Sequence, residues 1–438
     1  MKVDYIEIKG GNSLKGEIPF ETSKNAVLPI MAGALLCENE IVIEQIPLLS
    51  DVFVMGRILQ DLGCNVKFTR GNLTINSQSL FSNFPKGELC QKLRASSLLI
   101  GGLLNKFDTV TIPRSGGCKI GARPIDIHLR GLSQMGYKIE EGENITITKE
   151  RDSGDYFFHL PYPSVGATEN LIMTAFANRG ETILTGCAIE PEIEDLCNFL
   201  KACGGQIDCD NKGNIRIKGG KLSGKISYLP IPDRITAGSY LVAGAVCGGE
   251  VKVRCNSSHL KALIPKLKES TCKLWVESDN IVIQSSKRLK GLGKIHTAPY
   301  PFFPTDLQAL ISVIGCVADG ETEIVEKVFE NRFAHVYQLE KMGAKVKIVG
   351  DTLKICGGKL FGNSVYAEDL RGGAALVIAG LVAEGTTKVF NPYFIDRGYQ
   401  QIEGRLKNLG GDIKRNERQR TNYSLYFHNT FGGGDSSA

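Results

Sequence analysis

Apolar positions along the chain follow two rhythms. Some segments alternate apolar and polar residue by residue, such as residues 1–11 (MKVDYIEIKGG), 40–43 (EIVI), 66–68 (VKF) and 346–348 (VKI). A period of two predicts strands. Other segments are apolar on every side and rich in Gly and Ala: 31–36 (MAGALL), 98–104 (LLIGGLL), 171–177 (LIMTAFA), 240–246 (YLVAGAV), 310–317 (LISVIGCV) and 376–382 (LVIAGLV). A helix with no polar face is a buried helix. The small residues let such helices approach one another closely. Between them lie amphipathic stretches, for example 51–62 and 192–202, that predict half-buried helices.

These elements repeat. A helix ends in Gly, and a strand follows, at Gly63, Gly136, Gly204, Gly343 and Gly410, with Thr271 standing in the remaining place. The interval is about 70 residues throughout, the signature of an internal repeat. Each unit reads as βαβαββ, and there are six. Alternating strands and helices indicate an α/β protein. No Gly-x-Gly-x-x-Gly follows a strand and no Walker lysine motif occurs, which disfavours a Rossmann layout. Buried helices inside a ring of sheets fit the pattern better.

Composition narrows the class. At 438 residues the chain is long enough for two or three domains. A net charge of +5 is mild for that length and argues against a dedicated nucleic-acid binder. It leaves room for a local basic cleft. The 13 cysteines show no zinc spacing. Unpatterned cysteines in this number suit a reducing cytoplasm. The N-terminus reads as a strand, neither a signal peptide nor a membrane span. Periodicity is lost from about Asn416 onward, and residues 432–438 read as a flexible tail.

Candidate chemistry gathers where the buried helices begin. Their first residues are Lys24, Arg94, Ser164, Arg234, Asp306 and Arg371, again at the repeat spacing. Helix N-termini present free N–H groups and a positive dipole end, so they bind anions, and a cation there strengthens that preference. Two readings fit: separate caps and boundary salt bridges, or one anion-binding cleft where six parallel helices point. The second helices open with Asp51, Arg123, Glu192, Asn331-Arg332 and Asp396-Arg397. Arg123, Arg332 and Arg397 are expected to line the cleft. Asp51 and Glu192 are expected to be helix caps, as first-turn acids usually are.

The segment 114–128 (RSGGCKIGARPIDIH) sets Cys118 among Gly116, Gly117 and Gly121, with Arg114, Lys119 and Arg123 close by. Nearby cations favour the thiolate. Cys118 is thus either one more small apolar residue or a reactive thiol on a loop that a ligand can approach.

Nine motifs in one order carry a resemblance: SKNAVLP (23–29), LRAS (93–96), GGCKIGARPID (116–126), SVGATEN (164–170), PDRI (232–235), FPTD (303–306), FENRF (329–333), DLR (369–371) and DRGY (396–399). Together they resemble the UDP-N-acetylglucosamine 1-carboxyvinyltransferase family of enolpyruvyl transferases. The similarity spans about residues 5–414. It implies a two-domain inside-out α/β barrel, or inverse α/β prism, with three βαβαββ units per domain. Residues 23–232 would form a continuous domain carrying the Cys118 loop. Residues 1–22 and 233–431 would form the other, carrying Asp306 and Arg397, with hinge crossings near Thr22 and Asp233. The implied partners are phosphoenolpyruvate and UDP-N-acetylglucosamine, with no cofactor, no metal and no obligate protein partner.

The resemblance also implies roles. Cys118 is the acid or covalent nucleophile on phosphoenolpyruvate, and Asp306 takes the proton of the attacking sugar hydroxyl. Lys24, Arg123 and Arg397 grip phosphate and carboxylate. Arg94 and Arg371 sit beside them, with Asp369 at the same helix start, and Arg332 lies toward the sugar. Asn25, the segment Arg123, Pro124, Ile125, Asp126 and Ile127, then Ser164, Val165, Gly166 and Val328, contact the nucleotide sugar. Two departures stand out. Arg114 and Ser115 lengthen the loop before Gly116, and Tyr162-Pro163 replaces a Lys-Val found in some members. The competing expectations are a shikimate 3-phosphate acceptor on the same fold and a non-catalytic nucleotide-sugar-binding relative.

Overall fold

The computed structural model describes residues 4–113, 125–151, 154–286 and 288–416. Its strands form six small sheets, five of four strands and one of three among the described residues. In each four-stranded sheet one edge strand runs parallel to its neighbour. Parallel neighbours need a crossover, and a buried helix supplies it. Strand Tyr156–His159, helix Val165–Ala175 and strand Glu181–Thr185 make one such unit.

Two of the parallel pairs exchange their first strand. Leu14–Ile18 pairs with Gly249–Arg254, the strand after helix Arg234–Cys247. Ile226–Tyr228 pairs with Ile41–Ile43, the strand after helix Lys24–Gly33. The chain therefore crosses between halves twice, and the crossings are tied together. Ser23 N donates to Ile231 O at 2.8 Å and Asp233 N to Glu21 O at 2.9 Å. Thr22 and Pro232 form an antiparallel bridge.

Two separate apolar cores result, and together with the sheets they make a two-domain inside-out α/β barrel. One core draws on residues 27–222 and holds helices Lys24–Gly33, Leu99–Leu103 and Val165–Ala175. The other draws on Ile6 to Ile18 and residues 235–413, around helices Arg234–Cys247, Gln308–Val317 and Leu370–Val382. The small residues serve the close approach expected of them. A Cβ on Gly101 would stand 2.6 Å from Asn170 O, and one on Gly102 2.6 Å from Ala32 O. Asn170 fastens the junction, its Oδ1 accepting from Gly101 N at 2.9 Å and its Nδ2 donating to Ser97 O at 3.0 Å.

The second unit departs from the pattern. Its sheet holds only Thr109–Pro113, Tyr137–Glu141 and Asn144–Lys149 among the described residues. At the edge Asn83 meets the sheet, through Thr111 N to Asn83 O (3.2 Å) and Asn83 Nδ2 to Thr109 O (2.7 Å). Pro85 follows, and a proline cannot extend a hydrogen-bonded ladder. No described helix is long and apolar enough to cross a membrane.

The repeat landmark has a conformational cause. Gly63, Gly136, Gly204, Gly343 and Gly410 all sit at positive φ, between 84° and 107°. Thr271 adopts the same geometry at φ 78°. A β-branched side chain is strained there, at a cost of roughly 1–2 kcal/mol. Its hydroxyl recovers part of this by donating to Arg288 O at 2.7 Å. Thr271→Gly is expected to raise stability by about 1 kcal/mol, measured by denaturant titration. A loss of stability would show that the hydroxyl contact outweighs the strain.

Candidate active site

Five of the six predicted helix starts fall in the first turn of a buried helix or of the 3₁₀ turn leading into it, and the sixth, Ser164, stands just before its helix. Lys24 and Arg234 begin their helices, Arg94 opens the turn Arg94–Leu98, and Asp306 lies in Thr305–Leu307. Ser164 is an N-cap whose hydroxyl accepts from Ala167 N at 3.4 Å. Asp369 caps the helix of Arg371, accepting from Arg371 N and Gly372 N at 2.9 Å each.

Two ionic clusters form at these ends. In the first, Asp51 Oδ2 accepts from Lys24 Nζ at 3.1 Å, and Asp51 Oδ1 from Arg397 Nε at 2.9 Å. Lys24 and Asp51 belong to residues 23–232, and Arg397 comes from the C-terminal part of the chain. In the second, Asp306 is held by Arg332 Nη2 at 2.6 Å on Oδ1 and by Arg371 Nη2 at 3.4 Å on Oδ2. Arg332 and Arg371 are buried, while the Asp306 side chain is 32% exposed. The carboxylate is therefore the solvent-facing member of the cluster, with its cations behind it. Arg371 also lies 5.4 Å from the centre of the Tyr399 ring.

A third pair spans the two halves. Glu192 accepts from Arg234 Nε through both oxygens, at 3.0 and 3.2 Å. Nearby, Glu190 accepts from Tyr300 N at 3.3 Å.

The expectation that Asp51 and Glu192 are caps is overturned. Neither helix start has a side-chain cap bond. Both acids turn away from their own N–H groups, because burying a lysine or arginine requires a counter-charge more than a helix end requires a cap. In the turn that holds Asp306 the cap position is occupied by Pro304. No local signal marks Asp51 or Glu192 for these roles, because their partners Arg397 and Arg234 lie 346 and 42 positions away.

Ile125 caps helix Asp126–Gln134, which Asp126 and Ile127 begin, and Val165 and Gly166 begin the helix beside it. His128 joins the two. A Cβ on Gly166 would stand 3.2 Å from His128 Cε1. Asn170 Nδ2 donates to His128 Nδ1 at 2.7 Å. Burial, with the Arg94 charge second, pushes His128 down to about 4, so the ring is neutral and accepts this bond. His128 and Asn170 were not singled out from the sequence. Val328 N donates to Glu326 Oε1 at 2.8 Å, and Glu326 Oε2 accepts from Thr305 Oγ1 at 2.9 Å, linking this segment to the Asp306 turn. Asn25 lies in the first turn after Lys24. Cys118, Arg123 and Pro124, and the tail from residue 417, lie outside the described residues.

Two inside-out α/β barrels with lysine, arginine and carboxylate side chains gathered at their helix N-termini match the enolpyruvyl transferases in fold. The family model described as EPSP synthase (3-phosphoshikimate 1-carboxyvinyltransferase) matches residues 8–406. The fold matches the enolpyruvyl transferase NikO from Streptomyces tendae with a TM-score of 0.84 at 21% identity, over 94% of this chain and 99% of that one. It also matches the EPSP synthase of Acinetobacter baumannii with a TM-score of 0.73 at 18% identity, over 94% and 100%. Sequence similarity is much higher to another group. A UDP-N-acetylglucosamine 1-carboxyvinyltransferase of Clostridium acetobutylicum is 41% identical over 94% of this chain and 99% of its own length. One from Finegoldia magna is 42% identical over 95% and 99%. The chain belongs to the UDP-N-acetylglucosamine 1-carboxyvinyltransferase family.

Proposed function

We propose that the protein transfers the enolpyruvyl group of phosphoenolpyruvate to the 3′-hydroxyl of UDP-N-acetylglucosamine and releases phosphate, the first committed step of peptidoglycan synthesis, in the cytoplasm. The observation that carries this reading is the pair of ionic clusters at the helix N-termini. One offers Lys24 and Arg397 to an anion, and the other presents Asp306 to a reacting hydroxyl.

The reaction is an addition followed by an elimination. The sugar hydroxyl adds to C2 of phosphoenolpyruvate while C3 takes a proton, giving a tetrahedral intermediate. Loss of phosphate from C2 and of a proton from C3 restores the double bond. Asp306 accepts the hydroxyl proton as general base. Cys118 delivers the proton to C3 or adds to C2 as thiolate. Lys24, Arg123 and Arg397, with Arg94 and Arg371 nearby, neutralise the phosphate and carboxylate. Arginine forks match both groups in geometry. Arg332 and Asp369 hold the sugar end of the cleft together. The nucleotide sugar lies against Asn25, residues 123–127, Ser164, Val165, Gly166 and Val328. Residues 23–232 close on residues 1–22 and 233–431 about the paired crossings, excluding water from the intermediate.

The test is phosphate release from phosphoenolpyruvate with UDP-N-acetylglucosamine, with shikimate 3-phosphate as control acceptor. Release is expected only with the nucleotide sugar. Release with neither acceptor overturns the enzymatic reading, and release with shikimate 3-phosphate alone overturns the acceptor. Intact mass after incubation with both substrates is expected to show an adduct that is lost in Cys118→Ser. An adduct that persists in that variant refutes the role of the thiol.

A further inference from the structure

We propose that Asp51 is a positioning residue that takes the place of the substrate anion between Lys24 and Arg397, joins the two halves of the chain there, and displaces phosphate after each turnover. The proposal rests on the reading of Lys24 and Arg397 as phosphate and carboxylate ligands.

The geometry is that of an anion site already filled from within. Arg397 addresses both oxygens of Asp51, Nε at 2.9 Å and Nη2 at 3.4 Å, and Lys24 Nζ reaches Oδ2 at 3.1 Å. A forked guanidinium plus an ammonium on one planar anion is also how a phosphate or carboxylate is held. Asp51 stands in the first turn of helix Ser50–Asp61, where an acid ordinarily serves its own helix. Here its side chain makes no cap bond and is committed to the two cations. Burial alone would raise the Asp51 carboxyl, but Lys24 and then Arg397 outweigh it and hold it below the ordinary range. The carboxylate is therefore a full negative charge at neutral pH.

Position explains what this charge does. Lys24 and Asp51 are nearly sealed from solvent, while the Arg397 side chain is 35% exposed. The ion pair spans 346 positions of sequence and joins the two cores. Next to it, Leu48 N donates to the Gln400 side chain at 3.1 Å, a second tie between the same segments. An incoming phosphate dianion draws the cations more strongly than a monoanionic carboxylate and displaces it. Once phosphate has formed, the tethered carboxylate competes for the same two cations at high effective concentration. Lys24 and Arg397 without Asp51 would retain phosphate.

Orthophosphate binding tests this directly, by calorimetry on the resting protein and as product inhibition against phosphoenolpyruvate. Asp51→Asn keeps the shape and removes the charge. It is expected to bind orthophosphate at least about tenfold more tightly than wild type, and to lower KM for phosphoenolpyruvate together with kcat. Asp51→Glu, which restores the charge, is expected to return phosphate affinity toward the wild-type value. Asp51→Ser is a second uncharged variant, expected to tighten phosphate in the same way should the asparagine variant not fold. Weaker or unchanged phosphate binding in the uncharged variants overturns the proposal, because a merely structural Asp51 would lose the grip with the charge. The calorimetric measurement requires no turnover. A protein that binds orthophosphate as expected but releases none with either acceptor would refute the enzymatic reading and leave this one standing.

Discussion

Asp306→Asn is expected to fold, to bind UDP-N-acetylglucosamine, and to release phosphate about 10²–10⁴-fold more slowly than wild type, the range over which a positioned general base acts. The substitution preserves the outline of the side chain and an oxygen for Arg332, whose Nη2 lies 2.6 Å from Oδ1. What it removes is the ability to accept a proton. Asp306 is the exposed member of its cluster, with Arg332 and Arg371 buried behind it. The loss should therefore fall on kcat, with KM for the nucleotide sugar changed little. A phosphate-release assay alongside a binding titration separates the two. A loss below tenfold, with binding intact, would remove Asp306 from the proton-transfer step and leave it as a tether for Arg332 and Arg371.

The largest expected effect on stability belongs to Glu192 and Arg234. Their side chains are 3% and 7% exposed, so water contributes little screening to either charge. Truncating one partner strands the other, at a cost of about 3–5 kcal/mol. Glu192→Ala is expected to lower stability by that amount in a denaturant titration. Replacing both with methionine is expected to recover most of it, since an apolar pair of similar size leaves no buried charge. The sign of the pH dependence follows from the neighbours. Burial raises Glu190, while Arg234 lowers it, and burial raises Glu169 well above the ordinary range, with Glu192 and Glu190 adding to the shift. An acid whose folded pKa is raised contributes stability below its unfolded pKa and loses it as pH rises through the folded value. Arg234→Met removes an influence that lowers Glu190, so its penalty should grow from pH 5 to pH 8. A flat penalty across that interval would show that Glu190 does not titrate with the pair.

Much of the architecture is written locally. The landmark glycines mark positions of positive φ, a requirement of the helix-to-strand turn that holds whatever packs around it. The all-apolar helices announce burial, and the residues that open them fall at their N-termini. The edge of the second sheet was harder, because among the described residues it lacks the parallel strand that the five other sheets possess.

The number of repeats, the burial of one helix in each, and the charged residues at their starts are thus legible along the chain. These follow from periodicity and from the backbone demands of single residues. Only the tertiary structure decided what each charge answers. Asp51 and Glu192 look like caps within their own helices, and their true partners are Arg397, 346 positions away, and Arg234, 42 positions away. It also decided that the N-terminal strand Leu14–Ile18 belongs beside Gly249–Arg254. The physical reason is the same in each case. Local rules describe how a residue meets its own backbone, whereas a buried charge or an edge strand is satisfied by whatever the fold brings within reach.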